Sequence, residues 1–194
     1  MKIKFLPKLI IILLLNLKCF SQQSNEVRTY FGFIDSKLLR SENFDGGASY
    51  SNENSYEFGV KYLKKLTPKL SLETGINFMS SNVKISPNLI GANIEPYYEN
   101  LKMISIPMFI NYSIGKYFFL NGGPVLDVQN STELFDSQSG FGYGIGFGGK
   151  YSFEKFLIYL NPNFKRHSVV PFEKENYHQK LTEFGIQLGI GYKF

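Results

Sequence analysis

Along most of the chain after Gln22, apolar residues alternate with small or polar ones. In the last such segment, for example, Phe184, Ile186 and Leu188 are separated by single polar or glycine residues. A period of two is typical of a β-strand, and no window has the spacing of an amphipathic helix. Seven segments are clear and a weaker one lies near Val27–Ile34, so we predict an all-β protein with eight strands. They lie at about residues 27–34, 56–62, 70–78, 104–112, 118–128, 141–151, 156–165 and 183–194.

The two faces of these strands separate a membrane barrel from a soluble sandwich. One face is apolar and nearly free of charge over about ten residues, the length that a tilted transmembrane strand needs. The other face is rich in glycine and short side chains, as a narrow barrel interior requires, whereas a soluble sandwich carries long charged side chains outside. In hydrocarbon only a closed sheet satisfies every backbone group. We therefore predict an eight-stranded antiparallel up-and-down transmembrane β-barrel, with a soluble lipocalin-like barrel as the alternative.

Connection lengths give a second indication. Long segments (roughly 37–54, 80–100, 129–139 and 166–180) alternate with short ones (64–69, 113–116 and 152–155). Outer-membrane barrels have short periplasmic turns and long extracellular loops. Tyr62, Tyr112, Tyr151 and Tyr192 fall near the ends with short turns, where an aromatic girdle is expected. The pattern predicts a cell outer membrane location with both termini on the periplasmic side.

Three prolines conflict with this interpretation. Pro107, Pro124 and Pro162 lie inside predicted strands, although a closed barrel has no free edge to accommodate them. We expect a β-bulge at each proline or a misplaced strand boundary.

The N-terminal segment has the three-part pattern of a secretory signal peptide. A lysine-rich start precedes the apolar run Leu9–Leu15, which is too short to span a bilayer, and the small residues Cys19 and Ser21 precede a plausible cut before Gln22. We predict a cleaved signal peptide at residues 1–21 and a barrel domain at 22–194. Four lysines leave with the signal peptide, so the net charge falls from +5 to +1, which argues against a nucleic-acid partner. The single cysteine leaves as well, so the mature chain needs no disulfide.

Charged residues on the small and polar face are expected to point into the lumen and to pair there, because unpaired buried charges are costly. We predict that an eight-stranded barrel is filled by its own side chains, so that a water-wide pore is ranked last among the functions. The predicted lumen charge network contains Arg28, Glu57, Lys61, Glu73, Asp127, Lys150, Lys165 and Glu183.

The glycine ladder of the sixth strand contains a formal nucleotide-binding pattern. Gly144, Gly146 and Gly149 spell G-x-G-x-x-G, but the fingerprint requires a strand–turn–helix context and a parallel sheet. Here glycines recur at every second residue between aromatic ones, which indicates a crowded lumen. We predict no cofactor.

The last long segment holds the candidate chemistry. His167 and Ser168, with Glu173, resemble the residue types of lipid A deacylases, in which Ser, His and a carboxylate act as nucleophile, base and orienting group. Neighbouring residues of a regular strand point to opposite faces, so this pair needs an irregular segment. His167, His178, Glu173 and Glu175 match no compact metal site, and no metal is predicted.

The stretch Leu101–Val128, LKMISIPMFINYSIGKYFFLNGGPVLDV, resembles the central signature of the PorT-like outer-membrane β-barrel proteins of Bacteroidota (outer membrane protein beta-barrel domain). The matching positions are Ile106-Pro107-Met108, Tyr112 and Gly123-Pro124. The terminal LGIGYKF, with Tyr192 and Phe194, is similar to the signal by which barrel-assembly machinery recognises its clients.

The resemblance implies an outer-membrane barrel, and the family's name-giving member is an accessory of a protein-secretion system. We expect a non-enzymatic barrel whose loops or rim bind an envelope or secretion complex protein, a surface ligand or lipopolysaccharide, and which contacts outer-membrane lipid. Loop aromatics would anchor a partner or form the outer girdle. They are Phe44, Tyr50, Tyr97, Tyr98, Phe135, Phe172 and Tyr177. The alternatives are a lipid A-modifying enzyme using His167 and Ser168, or a purely structural envelope barrel.

Overall fold

The computed structural model describes residues 25–39, 49–86, 95–130, 136–173 and 179–194, and these form eight antiparallel strands. Each strand pairs with the next one along the chain, and the last returns to the first, so the sheet is a closed barrel. The strands are β1 (Glu26–Leu39), β2 (Ser49–Lys65), β3 (Leu70–Ser86), β4 (Tyr97–Ile114), β5 (Phe118–Gln129), β6 (Gly140–Phe153), β7 (Phe156–Pro171) and β8 (Lys180–Lys193). The fold class predicted from the alternation is confirmed.

The first and last strands close the barrel along their whole length. Their ladder runs from Glu26 opposite Lys193 to Leu39 opposite Lys180. Beyond it, Asn25 and Phe194 exchange two backbone hydrogen bonds of 2.9 and 3.0 Å. The predicted signal peptide lies outside the described residues. Within them, no helix has the length and apolar character needed to cross a membrane.

The strands connect at two different ends of the barrel. We call the end with the connections 66–69, 115–117 and 154–155, and with both ends of the described chain, the short-turn end. The opposite end, where β1 leads to β2 and β3 to β4, is the long-connection end. Gly115, with φ of +64°, supplies the left-handed conformation in the turn between β4 and β5. Tyr62, Tyr112, Tyr151 and Tyr192 all lie near the short-turn end and all are exposed.

The outward face of the barrel is apolar over its middle section. These side chains are exposed even though they are large and hydrophobic, up to 72% for Phe33. We call this surface the apolar belt. It contains Phe31, Phe33, Phe58, Val60, Ile76, Phe78, Ile104, Ile106, Met108, Ile110, Leu120, Ile145, Phe147, Ile158, Leu160, Phe184, Ile186, Leu188 and Ile190.

The belt ends abruptly towards the long-connection end. On β1 the outward side chain after Phe33 is Asp35, and on β4 the one before Ile104 is Lys102. Phe78, the last outward apolar residue of β3, pairs with Ile104, so the boundary crosses the strands in register. Beyond it the pattern is reversed, with polar side chains outside and apolar ones inside.

Four strands extend further than the alternation predicted. β1 continues to Leu39, β2 begins at Ser49, β3 continues to Ser86 and β4 begins at Tyr97. β7 likewise continues to Pro171. His167 and Ser168 therefore lie in a strand, whereas the sequence pattern had placed them in a connection. These boundaries were wrong because the extensions do not have an apolar outward face.

The expected bulges at the prolines are also wrong. The ladder between β3 and β4 keeps its register across Pro107, and those of β4 with β5 and β6 with β7 keep theirs across Pro124 and Pro162. A proline removes a hydrogen-bond donor without adding a residue, whereas a bulge requires an extra residue on one strand.

The actual irregularities lie elsewhere. One shift lies between Glu53 and Tyr56 of β2, where Asn54 has φ of +51°. The other lies between β6 and β7, opposite Gly142, where Ser168 has φ of +50°. The second shift places three β7 residues opposite one residue of β6.

Candidate functional site

The middle of the lumen is occupied by a network of buried charges and amides. Lys61 Nζ lies 3.0 Å from Glu73 Oε1 and donates to Gln187 Oε1 at 2.8 Å. Gln187 Nε2 donates in turn to Glu57 Oε1 at 2.8 Å. Glu57 also pairs with Lys165 at 2.5 Å. Each of these residues is at most 6% exposed, so the network lies away from solvent.

The network continues towards the long-connection end through a histidine. Lys165 Nζ lies 3.3 Å from Glu183 Oε2, and His167 Nε2 lies 3.2 Å from the same oxygen. His167 Nδ1 is 2.8 Å from Asp127 Oδ2. A single chain of polar contacts therefore joins side chains from β2, β3, β5, β7 and β8 across the barrel.

Amide side chains add hydrogen bonds to two carboxylates of the network, Glu57 and Glu73. Asn77 donates to Glu57 Oε2 at 2.8 Å, and Asn111 donates to Glu73 Oε2 at 2.7 Å. Asn121 donates to Glu73 Oε1 at 3.1 Å. Burial of a charge is tolerated where ion pairs and hydrogen bonds replace its hydration. The cavity left in this region has a volume of about 20 Å³, so the side chains fill it.

Two of the eight predicted network residues have other partners than expected. Arg28 is 1% exposed and pairs with Glu26 at 2.6 Å, while its guanidinium lies 5.4 Å from the Phe119 ring centre and 5.2 Å from that of Tyr159. Lys150 donates to Ser113 Oγ at 2.8 Å, and within the described residues it forms no ion pair. The expectation that every lumen cation faces a carboxylate of the predicted set is therefore wrong for both.

His167 and Glu26 are ionisable lumen residues that the alternation of the sequence did not predict. Glu26 precedes Arg28 by two residues, and His167 follows Lys165 by two. Because residues two positions apart lie on the same face of a strand, both could have been assigned to the lumen face from the sequence. The His167 signal was lost because its segment was assigned to a connection. The bulge explains the burial of Ser168: His167 and Ser168 are 1% and 0% exposed, since the extra residues turn both side chains inward.

This placement does not favour the lipid A enzyme. A deacylase acting on lipid needs its nucleophile and base at the lipid-facing rim, but His167 is held inside between Asp127 and Glu183. Glu173 is exposed and lies beyond the end of β7. His178 and Glu175 of the metal alternative lie outside the described residues. Within the described part of the chain, no group of His, Cys, Asp and Glu side chains could hold a metal ion.

An apolar cluster occupies the lumen at the long-connection end. Its members are buried at 8% exposure or less and come from β1, β3, β4 and β8. They are Ile34, Met79, Val83, Ile85, Leu101, Met103 and Leu181. Beside it Gln138, which is 0% exposed, donates to the Gln179 carbonyl at 2.7 Å and accepts from the Leu181 amide at 2.8 Å. This cluster lies in the strand segments beyond the polar network, towards the long-connection end.

The rim of the long-connection end carries three of the predicted loop aromatics. Tyr97, Tyr98 and Phe172 are 41%, 57% and 56% exposed. Lys84 Nζ lies 5.9 Å from the ring centre of Tyr98. Tyr50 lies in β2. Phe44, Phe135 and Tyr177 lie outside the described residues.

The predicted barrel-assembly residues lie at the short-turn end. Tyr192 is exposed on β8 next to Phe156, with ring centres 5.3 Å apart, and Phe194 follows the strand. Both face outward, and their recognition by assembly machinery stays a prediction.

The barrel is similar in fold to solved outer-membrane proteins. It superposes on the outer membrane protein OprG from Pseudomonas aeruginosa with a TM-score of 0.53 at 12% identity, covering 88% of this chain and 95% of OprG. It superposes on the outer membrane protein AlkL, determined in DMPC lipid bilayers, with a TM-score of 0.50 at 12% identity, covering 89% of this chain and 90% of AlkL. No protein-family model and no curated protein matches the chain. At these identities the likeness shows the barrel fold alone.

Proposed function

We propose that this protein is a non-enzymatic integral barrel of the outer membrane, and that its long-connection end binds a protein of an envelope or secretion complex. The observation that carries the proposal is the apolar belt. A contiguous apolar surface of this size marks contact with a membrane or a partner. A belt that encircles a closed barrel fits a lipid bilayer, because no single partner surrounds all eight strands.

The height of the belt supports the same assignment. On β4 the belt and the tyrosine that bounds it run from Ile104 to Tyr112, nine residues, close to the roughly 9–11 residues of a tilted transmembrane strand. Exposed tyrosines bound it at the short-turn end, and Asp35 and Lys102 bound it at the other. Beyond this boundary the extended strands carry polar side chains outside, as they would in water.

The partner-binding role is supported by the extension of the strands past the belt. The β3–β4 hairpin projects beyond Phe78 and Ile104 and presents Tyr97 and Tyr98 on its rim. Exposed aromatics on a rigid scaffold are suited to anchor a protein partner. The PorT-like resemblance of residues 101–128 leads us to propose a secretion or envelope accessory as the specific role.

Membrane location is tested by single-cysteine labelling, since residues 22–194 contain no cysteine. We expect Lys102→Cys to react with a membrane-impermeant maleimide on intact cells and Ile106→Cys to stay unlabelled. Lys116→Cys, at the short-turn end, should react only after the outer membrane is permeabilised. Equal labelling of Lys102→Cys and Ile106→Cys on intact cells would show that the belt is not covered by lipid.

The partner is tested by photo-crosslinking in native outer membranes. A photoreactive amino acid at Tyr98 should give one protein adduct that mass spectrometry identifies as an envelope component, and the same amino acid at Ile106 should give lipid adducts only. Absence of any protein adduct from Tyr97, Tyr98 and Phe172 would leave a purely structural barrel and would contradict partner binding at this rim.

A further inference from the structure

The lumen opens at the short-turn end into a cavity of about 410 Å³. This volume lies within the range of about 300–1,000 Å³ typical of small-molecule sites. Its floor is formed by Arg28 and Asn111, which are both 1% exposed, and its wall includes Lys150 and Ser113. The cavity is formed by the barrel strands and short turns, so its presence does not depend on the membrane location proposed above.

The charges around this cavity are strongly unbalanced. Five cations line it, namely Arg28, Lys65, Lys116, Lys150 and Lys193, and the lining contains a single carboxylate, Glu26. The Glu26 carboxylate is already engaged by Arg28. Its Oε2 accepts hydrogen bonds from Arg28 Nε at 3.0 Å and from Arg28 Nη2 at 2.6 Å. Within the described residues, none of the four lysines forms an ion pair with a carboxylate.

The lysines of the central network differ from those of the cavity, because they are paired with carboxylates. Lys61 and Lys165 in the central network each contact buried carboxylates, at 3.0 and 2.5 Å. The fold therefore pairs its inner cations with carboxylates, whereas at the cavity the single carboxylate Glu26 is taken by Arg28, and among the described residues the four lysines have no ion pair. Like charges gathered in a concave site repel each other and concentrate positive potential, which favours an anionic ligand.

The positions of the cations suit a multivalent oxyanion. Lys150 Nζ donates to Ser113 Oγ at 2.8 Å, and Lys193 Nζ donates to Ser152 Oγ at 2.8 Å. An ammonium group has three donors, so each lysine is held in place by its serine and keeps donors for a ligand. Charge-assisted hydrogen bonds to phosphate oxygens are among the strongest of their kind.

We propose that this cavity is a binding site for a phosphate group, carried by a soluble organic phosphate or by a lipid headgroup. Under the proposed orientation the site faces the periplasm. Arg28 and Lys150 would contact the phosphate at the floor, and Lys193 would close over it from the rim.

The test uses the full-length protein purified from membranes and placed in nanodiscs of zwitterionic phosphatidylcholine, with inorganic pyrophosphate as the probe. Calorimetry should show saturable binding that weakens strongly when salt rises from about 0.05 M to about 0.5 M, because salt screens exposed charges. The variant Lys150→Gln/Lys193→Gln should bind about tenfold more weakly, as expected for the loss of charge-assisted contacts.

The matched control is Lys155→Gln, which removes a positive charge from the same end but outside the cavity lining. It should change the affinity by less than about twofold, because the Lys155 side chain is exposed and does not line the cavity, so that its charge is screened by solvent and salt. If the double variant does not fold, Lys193→Gln alone, at the rim, takes its place and should still weaken binding.

A second measurement distinguishes the two sources of phosphate. In nanodiscs that contain phosphatidylglycerol, native mass spectrometry should show a retained lipid that the double variant loses if the ligand is a headgroup. Pyrophosphate binding without a retained lipid assigns the site to a soluble phosphate compound. Absence of both, or equal behaviour of the double variant and Lys155→Gln, would overturn the proposal.

Discussion

The two ends of this barrel lumen are built on the same eight strands but have opposite chemistry. At the short-turn end the lumen is a cavity lined by Arg28 and four lysines. At the long-connection end it is filled by the buried apolar cluster around Val83 and Leu101, both 0% exposed. The polar network between Glu73 and Asp127 lies between the two. Among the described residues, the interior is therefore open and charged at one end and filled with apolar side chains at the other.

The outward face changes at the same level as the inward face. Along β4, Met103 points inward and Lys102 outward, whereas in the belt Ser105 points inward and Ile106 outward. The position of the apolar residues on the strand therefore reverses at the belt boundary. We interpret the part beyond it as a small barrel with its own core, continuous with the part that carries the apolar belt.

The largest effect is expected from a charge placed in the apolar cluster. Leu101→Asp buries a carboxylate among Val83 and Met103, where no cation lies in the cluster to pair with it. Such a change should cost about 4 kcal/mol or more, enough to prevent the folded state. The measurement is the heat-modifiable migration of the folded barrel in gels, followed by urea titration in lipid vesicles.

Lys102→Asp is the control for this prediction, because the neighbouring side chain is exposed and points outward. It should fold normally and lose less than about 0.5 kcal/mol. A folded Leu101→Asp variant of unchanged stability would show that the long-connection end of the lumen is hydrated, and the contrast between the two ends would be lost.

Strand parity predicted the part of the fold that carries the apolar belt, and for a physical reason. Between Phe58 and Tyr62, as between Ile104 and Tyr112, outward side chains must be apolar, so the period of two is unbroken. Beyond the boundary the apolar residues Val83 and Ile85 have the opposite parity, so they were assigned to a connection. The bulge of β7 contains no glycine or asparagine, the residues that most readily adopt a positive φ, so the sequence did not reveal it.

The network that separates the ends should be the next most sensitive region. Lys61→Met leaves Glu73 buried without its cation, although Asn111 and Asn121 still donate to it. We expect a loss of about 3–5 kcal/mol in the free energy of unfolding, measured by urea titration in vesicles. Lys61→Met/Glu73→Gln should recover part of this loss, because no uncompensated charge remains. Additive losses in the two single variants would contradict a direct pairing.

A smaller effect is expected where the bulged strand crowds its neighbour. A Cβ at Gly142 would lie 2.3 Å from the Arg166 carbonyl oxygen and 3.0 Å from the His167 Cα. Gly142→Ala should therefore shift β7, cost about 2 kcal/mol, and alter the NMR signals of His167. The control is Gly149→Ala, whose nearest heavy atom is Tyr117 O at 3.9 Å, and it should change stability by less than about 0.5 kcal/mol.

The candidate sites were less predictable than the fold. The charges of the lumen face could be found by parity, so six of the predicted residues, among them Glu57 and Lys165, lie in the central network. The pairing partners of these charged residues could not be predicted, because pairing depends on which residues of β2, β7 and β8 meet across the barrel. The excess of positive charge at Lys150 and Lys193 likewise results from the closure of the sheet, which brings residues 43 positions apart to one mouth.

The smallest effect is expected for Ser113→Asp, and the same substitution at Ser81 tests the opposite end of the lumen. Ser113 accepts from Lys150 in the cavity, so Ser113→Asp adds a carboxylate beside an unpaired cation and should raise stability by up to about 1 kcal/mol. Ser81 lies next to the apolar cluster, is 1% exposed, and forms a hydrogen bond of 2.6 Å with Ser55. Ser81→Asp should lower the free energy of unfolding by about 2–3 kcal/mol. Urea titration measures both. Because Ser113→Asp supplies the missing counter-charge, it should also weaken pyrophosphate binding, whereas a stabilised variant with unchanged binding would separate the charge imbalance from ligand recognition.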